Sequence, residues 1–228
     1  MGGDKSIMTA QEALLERKSV RAYLDKAVSK KEIETLLNLA KHAPSGVNTQ
    51  PWKVAVVMGE SKKRLEAKLL KAFHDGAKKK MDYQYYPLEW KAPYSLRRAA
   101  CGLQLYKAAK VARDDKEARV KQWAENYRAF GAPVMLFFYM DDHLQAGSFL
   151  DFGMFLQSIM IAATAEGLAT CAQGALAEYS ALIKEELKIP KKTILLCGMA
   201  LGYEDPDAAI NGYRTPRIAL EEFVTFYA

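Results

Sequence analysis

Apolar positions recur along this chain in two rhythms, and each rhythm predicts its own kind of element. Ile33, Leu36, Leu37 and Ala40 fall at i, i+3, i+4 and i+7 behind the capping-box spacing Ser29-Lys30-Lys31-Glu32, which predicts an amphipathic helix over 30–41. A second capping box, Thr9-Ala10-Gln11-Glu12, precedes Ala13, Leu14 and Leu15 and predicts a short helix over 9–17. Helices are also expected over 61–73, with Leu65, Leu69 and Leu70 inward, over 97–112 and over 115–129. Residues 144–166 are apolar nearly all round, from Phe149 to Ala162, which marks a central buried helix, and Gly167 is placed to end it. A further helix is expected near 179–188.

Continuous apolar runs predict buried strands at Val54 to Met58, at Val134 to Met140 and at Thr193 to Met199. Thr170-Cys171-Ala172-Gln173-Gly174 reads as a loop between helix and helix. Residues 81–96 have no clear period. They carry Tyr83, Tyr85, Tyr86, Trp90 and Tyr94 and are broken by Pro87 and Pro93, so they form either a lid with stacking faces or a satellite packing cluster.

Composition narrows the class. The chain has 228 residues, half of them hydrophobic (50%), enough for one sizeable core. A net charge of +6, from 33 basic and 27 acidic residues, is too mild to indicate nucleic acid but suits anionic small molecules. Cys101, Cys171 and Cys197 lack metal or disulfide spacing, which fits a reducing, cytoplasmic setting. No apolar run approaches the length of a membrane span, and residues 1–8 lack the apolar segment of a secretory signal. Met1-Gly2-Gly3-Asp4-Lys5-Ser6 matches the short myristoylation pattern, which also occurs by chance.

Two polar stretches carry the candidate chemistry. In an extended segment, Arg17, Ser19 and Arg21 of Arg17-Lys18-Ser19-Val20-Arg21 point one way, an arrangement suited to phosphate oxygens and equally to a solvated charge run. The second stretch runs from His42 to Trp52. Pro44 and Pro51 pin the backbone, Gly46 frees it, and Ser45, Asn48 and Gln50 offer donors and acceptors to a planar polar ligand; a plain helix-to-strand connection has the same residues. His42, His74 and His143 stand apart from acidic motifs, so neither a hydrolytic triad nor a metal site is suggested. There is no glycine-rich phosphate cradle. Such a chain either binds a ligand or takes its chemistry from a cofactor.

The segments Arg17-Lys18-Ser19-Val20-Arg21, Ala43-Pro44-Ser45-Gly46-Val47-Asn48-Thr49-Gln50-Pro51-Trp52, Gly202-Tyr203 and Arg214-Thr215-Pro216-Arg217 together resemble the FMN-dependent nitroreductase family, in order and spacing along nearly the whole chain. Asn126 to Pro133 and Thr170 to Gln173 resemble the branch that reduces nitroaromatic acids and related nitroarenes. The resemblance implies one α+β domain over 1–228, with a mostly antiparallel central sheet surrounded by helices. It also implies an intertwined homodimer with C-terminal strand exchange and FMN at the subunit interface. The implied activity is ping-pong transfer of hydride from NADH or NADPH to a nitroaromatic or quinone acceptor, with no nucleic-acid or membrane partner.

By the same resemblance, Arg17, Lys18, Ser19 and Arg21 hold the FMN phosphate, ribityl or N1/O2 edge, and Arg214 and Arg217 close the phosphate site. Pro44, Ser45, Gly46 and Asn48 reach the flavin of the other subunit, while Gln50 either joins them or braces the loop. Asn126 and Arg128 face the pyrimidine edge, and the backbone N–H groups of Gln173 and Gly174 face N5. Ala172 departs from the proline of many relatives. Outside this reading stand a flavin-binding carrier or sensor without turnover, and a basic module using Lys62–Lys80 on an acidic partner.

Overall fold

The computed structural model describes residues 8–227, and the myristoylation pattern lies outside them. Both capping boxes form. Thr9 opens α1 (Ala10–Glu16) and Ser29 opens α2 (Lys30–Ala40), each hydroxyl accepting from the backbone of the glutamate three residues on. The chain then passes a short 3-10 turn into β1 (Lys53–Met58), α3 (Gly59–His74), α4 (Tyr94–Ala108) and α5 (Lys116–Ala124). A second 3-10 turn, Glu125–Gly131, leads to β2 (Val134–Asp141), α6 (Ala146–Ala165), β3 (Ala169–Gln173), α7 (Ser180–Glu186) and β4 (Thr193–Gly202).

The four strands form one antiparallel sheet in the order β1-β2-β4-β3. Alternation along β2 divides the core into two layers. Val134, Leu136, Phe138 and Met140 face a layer with Ile33 and Leu36 of α2 and Phe152, Phe155 and Ile159 of α6. Met135 and Phe137 face the other, with Leu65 and Leu69 of α3 and Ile183 of α7. The architecture is therefore the expected α+β sheet between helical layers.

Five expectations need correction. β1 is not a buried strand: it is a sheet edge, and only Val57 is buried. Thr170–Gln173 is not a loop but most of β3, because the segment pairs in register with Gly198 to Leu201 of β4. The helix expected to reach 129 stops at Ala124, since Ala129 and Phe130 take left-handed φ values of 49° and 56°. Nor is α6 buried all round. It packs against α1, α2 and β3 on one side, while Leu150 stays 74% exposed on the other. With 20 residues and mean hydropathy 1.4, α6 is also long and apolar enough by composition to cross a membrane, contrary to the expectation that no run approaches that length.

A candidate anion pocket and a lidded cavity

The Arg17–Arg21 segment runs extended beside β3, with the Val20 N–H donating to the Thr170 carbonyl at 3.0 Å. Side chains therefore alternate. Val20 is buried, and Lys18 leaves the other basic groups to pair with Glu204 at 2.6 Å and donate to the Asn211 carbonyl at 2.8 Å. Arg17 stays with the opposite set. Its guanidinium is pushed below its ordinary value, by burial first and then by the nearby charges of Arg217 and Arg214. The charges of Arg214 and Arg217, from the other end of the chain, thus bear on Arg17. Arg214 also ties the tail to α1, donating to the carbonyls of Leu15 at 2.5 Å and Glu16 at 2.6 Å. Arg217 bonds only within its own turn, to Thr215 and Pro216.

Asn211 joins the two ends of the chain, and the sequence reading missed it. Although only 3% exposed, its side chain is fully engaged. Its oxygen accepts the Arg21 N–H at 2.8 Å, and its amide donates to Ala22 and Asp205, each at 2.9 Å. The only sequence signal is an Asn-Gly turn before the tail, since a separation of 190 positions hides the contact. From that clasp Arg21 extends to donate to Tyr213 at 3.3 Å, and its guanidinium lies 5.9 Å from the Phe130 ring.

Next to Arg21 opens a cavity of about 1370 Å³. Its inner wall includes Phe130, Asn126, Cys171, Gln173 and Gly174. Gln173, 4% exposed, donates to the Asn126 carbonyl at 3.0 Å, while its Oε1 has no partner. Cys171 is buried too, and burial raises its thiol above the ordinary value. At Gly174 an added Cβ would meet the Tyr85 ring at 3.0 Å, so the missing side chain lets the aromatic close on the backbone. Phe130 is held in its left-handed turn by Ala132, whose N–H donates to Ala129 at 3.0 Å.

The 81–96 segment is anchored at its root and free at its tip. Opposite β2, Phe138 faces Cys197 and Tyr139 faces Leu195, which leaves Leu196 bulged. The Tyr83 hydroxyl donates to that bulged carbonyl at 2.8 Å, and the Asp82 carboxylate accepts the Leu195 N–H at 2.8 Å. Lys184 beside Asp82 adds an ion pair at 2.7 Å, and the Asp82 carboxyl sits below its usual range, hydrogen bonds from Lys184, Leu195 and Ser180 outweighing burial. Tyr85 and Tyr86 then project onto the cavity wall. Packing cluster and lid are thus two parts of one segment.

Other expected site residues lie elsewhere. Arg128 does not line the cavity: its guanidinium pairs with Glu66 at 3.0 Å and Glu125 at 3.3 Å, because the break at Ala124 turns it back onto α3. None of Pro44, Ser45, Gly46, Asn48 and Gln50 lines this cavity either. Their loop is tied to α6 by the Gly46 N–H, which donates to Asp151 at 3.0 Å. Gln50 braces it, its N–H donating to the Ser45 hydroxyl at 2.9 Å. Val47, Asn48 and Gln50 all have positive φ (46°, 59° and 49°), a strained shape held on the surface. The lysines of 62–80 do not present one free basic surface, as a basic module would: Lys62 is buried against Glu66, and Lys79 pairs with Glu178 among the rings of Phe73, Trp123 and Tyr127.

The donor set fits a phosphorylated flavin. The guanidiniums of Arg17, Arg214 and Arg217 together suit a phosphate, the unpartnered Gln173 oxygen suits an N–H of a flat heterocycle, and the Gly174 wall admits a ring against backbone. Comparison with known proteins agrees. A model of the Nitroreductase family matches residues 14–203. The chain is 36% identical to a chloronitrobenzene nitroreductase of Comamonas testosteroni over 92% of its own length and 93% of the relative's. It is equally 36% identical to a 4-nitrobenzoate reductase of Pseudomonas putida, over 92% of each chain. The solved FMN- and NADPH-dependent nitroreductase of Sphigopyxis sp. strain HMH superposes with a TM-score of 0.93 at 36% identity, covering 96% of this chain and 99% of that one.

Proposed function

The chain belongs to the nitroreductase family, and from that premise we propose that it is an FMN-dependent NAD(P)H oxidoreductase acting on nitroaromatic or quinone-type acceptors by a ping-pong mechanism. The observation that carries this reading is the lidded cavity beside Arg21, with its orphaned buried acceptor, together with the charges of Arg214 and Arg217 bearing on Arg17. FMN, when bound, would supply the redox chemistry between the nicotinamide and the acceptor.

The chain's own residues bind, orient and exclude water. Arg17, Ser19, Arg214 and Arg217 would hold the phosphate and ribityl, and Arg21 would place positive charge against the flavin edge that becomes anionic on reduction. Stabilising that charge favours the reduced state over the resting one. Backbone N–H groups of Gln173 and Gly174 would face N5, and Asn126 would meet the pyrimidine edge. Lys18 would act through Asn211 and Glu204, fixing the segment rather than touching the flavin. Tyr85, Tyr86 and Phe130 would give the acceptor flat faces and keep water out.

A homodimer completes this reading. The outer face of α6 leaves Leu150 and Met154 exposed, β1 offers an unpaired edge, and Phe226 in the tail is 85% exposed. Exchange of the C-terminal segment would cover that edge and carry the 44–50 loop of each subunit to the other's flavin. We take 1–228 as one such domain, working in the cytoplasm.

The test is the visible spectrum of purified protein under anaerobic conditions. A flavin spectrum that bleaches with NADPH or NADH and returns on adding 4-nitrobenzoate supports the reductase. Bleaching without return would favour a carrier or sensor, and a protein that takes up no FMN on reconstitution would sink the reading.

A further inference from the structure

The outer half of the cavity bears a charge that the flavin does not account for. Besides Arg21, which the flavin reading already uses, the cavity wall carries four cations, Arg98, Lys107, Arg113 and Arg119, against one carboxylate, Glu178. That carboxylate is already matched, accepting from the Tyr127 hydroxyl and pairing with Lys79 at 2.8 Å. Among the described residues, Lys107, Arg113 and Arg119 form no ion pair, whereas their neighbour Arg97 takes Glu222. Asp114 and Asp115 are adjacent in sequence but do not line the cavity, and Asp115 is occupied capping α5.

These three cations belong to one locality. Arg119 donates to the Arg113 carbonyl at 3.3 Å, and its guanidinium lies over the Tyr106 ring at 5.1 Å. Lys107 follows Tyr106 at the end of α4, and the Val111 N–H closes back on the Tyr106 carbonyl at 2.9 Å. An arginine stacked on an aromatic ring has one face shielded and its N–H edge fixed, ready for oxygen atoms. Unopposed like charges held together in a partly enclosed wall repel one another until an anion arrives. α4 has no buried residue and α5 only Ala124, so core packing gives no reason for the arrangement.

The ligand's size and charge follow. The cavity, about 1370 Å³, exceeds the roughly 300–1,000 Å³ typical of a pocket for one drug-sized ligand. Tyr106 lies two helical turns, about 12 Å, beyond Arg98 along α4, and both line the cavity. A carboxylate offers two oxygens and one charge, whereas a phosphate monoester dianion offers three oxygens and up to two charges and so suits a cluster of cations better. Resting on the reductase reading above, we propose that Lys107, Arg113 and Arg119, set around Tyr106, bind the 2′-phosphate of NADPH and make this chain discriminate NADPH from NADH. Tyr106 offers the ring on which the adjoining adenine stacks.

The experiment uses FMN-loaded protein, wild type and Arg113→Gln/Arg119→Gln. Calorimetric titration with adenosine 2′,5′-bisphosphate and with 5′-AMP reads the phosphate site without turnover, and KM is measured for NADPH and NADH at fixed acceptor. Wild type should bind the bisphosphate about tenfold or more tightly than 5′-AMP, and the variant should lose that margin. Its KM for NADPH should rise about tenfold while that for NADH stays within about twofold. Equal binding of the two nucleotides by wild type would overturn the proposal. So would an equal rise in both KM values, or a rise confined to 4-nitrobenzoate over nitrobenzene, which would make the cluster a carboxylate site. The calorimetric margin does not depend on hydride transfer, so a protein inert toward both dinucleotides refutes the reductase reading and leaves this site to be judged by binding alone.

Discussion

The Gln173 amide donates to the Asn126 carbonyl at 3.0 Å and to its side-chain oxygen at 3.3 Å, and these bonds join the end of β3 to the strained turn that carries Phe130. The other half of the same amide, Oε1, is buried without a partner. A buried unpartnered acceptor is costly unless a ligand satisfies it. Gln173→Met should therefore change the empty protein little and the flavin complex much. The expected loss in the apo form is about 1 kcal/mol, or 2–4 °C in Tm for a chain of this size. FMN affinity, followed by flavin fluorescence, should fall about tenfold. Unchanged affinity would reduce Gln173 to a structural brace.

Arg217 separates binding from folding even more cleanly. It bonds only within its own turn, and its charge helps to push down the Arg17 guanidinium. Removing it relieves repulsion, so apo Arg217→Ala should unfold within about 0.5 kcal/mol of wild type. FMN should bind about tenfold or more weakly, because a charge-assisted phosphate contact is lost. The difference should shrink with added salt, which screens the remaining cations. An FMN affinity equal to wild type would remove Arg217 from the phosphate site.

Much of this was legible because it is local. The capping boxes at Thr9 and Ser29 each need only four residues, and both helices begin where those residues say. The alternation that separates Arg17 and Arg21 from Lys18 is likewise a property of any extended segment. Long-range convergence was not legible from spacing: Arg17 meets Arg214 across nearly the whole chain, and the family resemblance, not periodicity, brought them together. Thr170–Gln173 was misread because four residues show no period; only pairing to β4 makes them a strand. The break at Ala124 was hidden because Ala129 and Phe130 carry no turn signature, yet both are left-handed. The cations of α4 and α5 carry no sequence signal of their own, and only the cavity sets them together.

Glu32 gives the fold an acid-side signature. Its carboxylate accepts the Ser29 N–H at 2.7 Å and the Tyr203 hydroxyl at 2.5 Å. Hydrogen bonds from Ser29 and then Tyr203 lower it from the usual glutamate value of 4.5 to about 2. Since the folded value is depressed, the stabilisation is complete above about pH 4.5 and is lost as pH falls through about 2. Glu32→Gln should be less stable than wild type at pH 7 by about 1 kcal/mol, the size of a solvent-screened cap. Urea unfolding at a series of pH values should show the two proteins converging toward pH 2. A gap that stayed constant with pH would show that the Glu32 charge contributes nothing.

Leu150 tests the dimer. It projects from α6 with 74% of its surface exposed, next in the helical pattern to Met154. Leu150→Glu/Met154→Glu should leave the monomer folded, since neither side chain is buried in it, and should shift light-scattering mass toward one chain. FMN should be lost in parallel, because the strained 44–50 loop would no longer meet a partner's flavin. A dimer of unchanged mass and flavin content would place the interface elsewhere.

Gly174 and Tyr85 should be coupled, and the coupling reports on the cavity rather than on the fold. A Cβ at 174 would lie 3.0 Å from Cζ of Tyr85 and 3.2 Å from Cε2. The ring cannot retreat freely, being packed at 4.6 Å from Tyr86 and 5.9 Å from Tyr83, which is itself fixed to the Leu196 bulge. Gly174→Ala should therefore tilt Tyr85 and raise the acceptor KM, by about tenfold if the stacking face is lost. Tyr85→Ala removes the same face and should raise it by a similar factor. Once the ring is gone the added methyl has nothing to displace, so Gly174→Ala in the Tyr85→Ala background should do little more. The double-mutant cycle should then give a coupling close to the whole effect of either change. Strict additivity would mean that the methyl acts on the flavin through the backbone, and that Tyr85 is not the wall the acceptor meets.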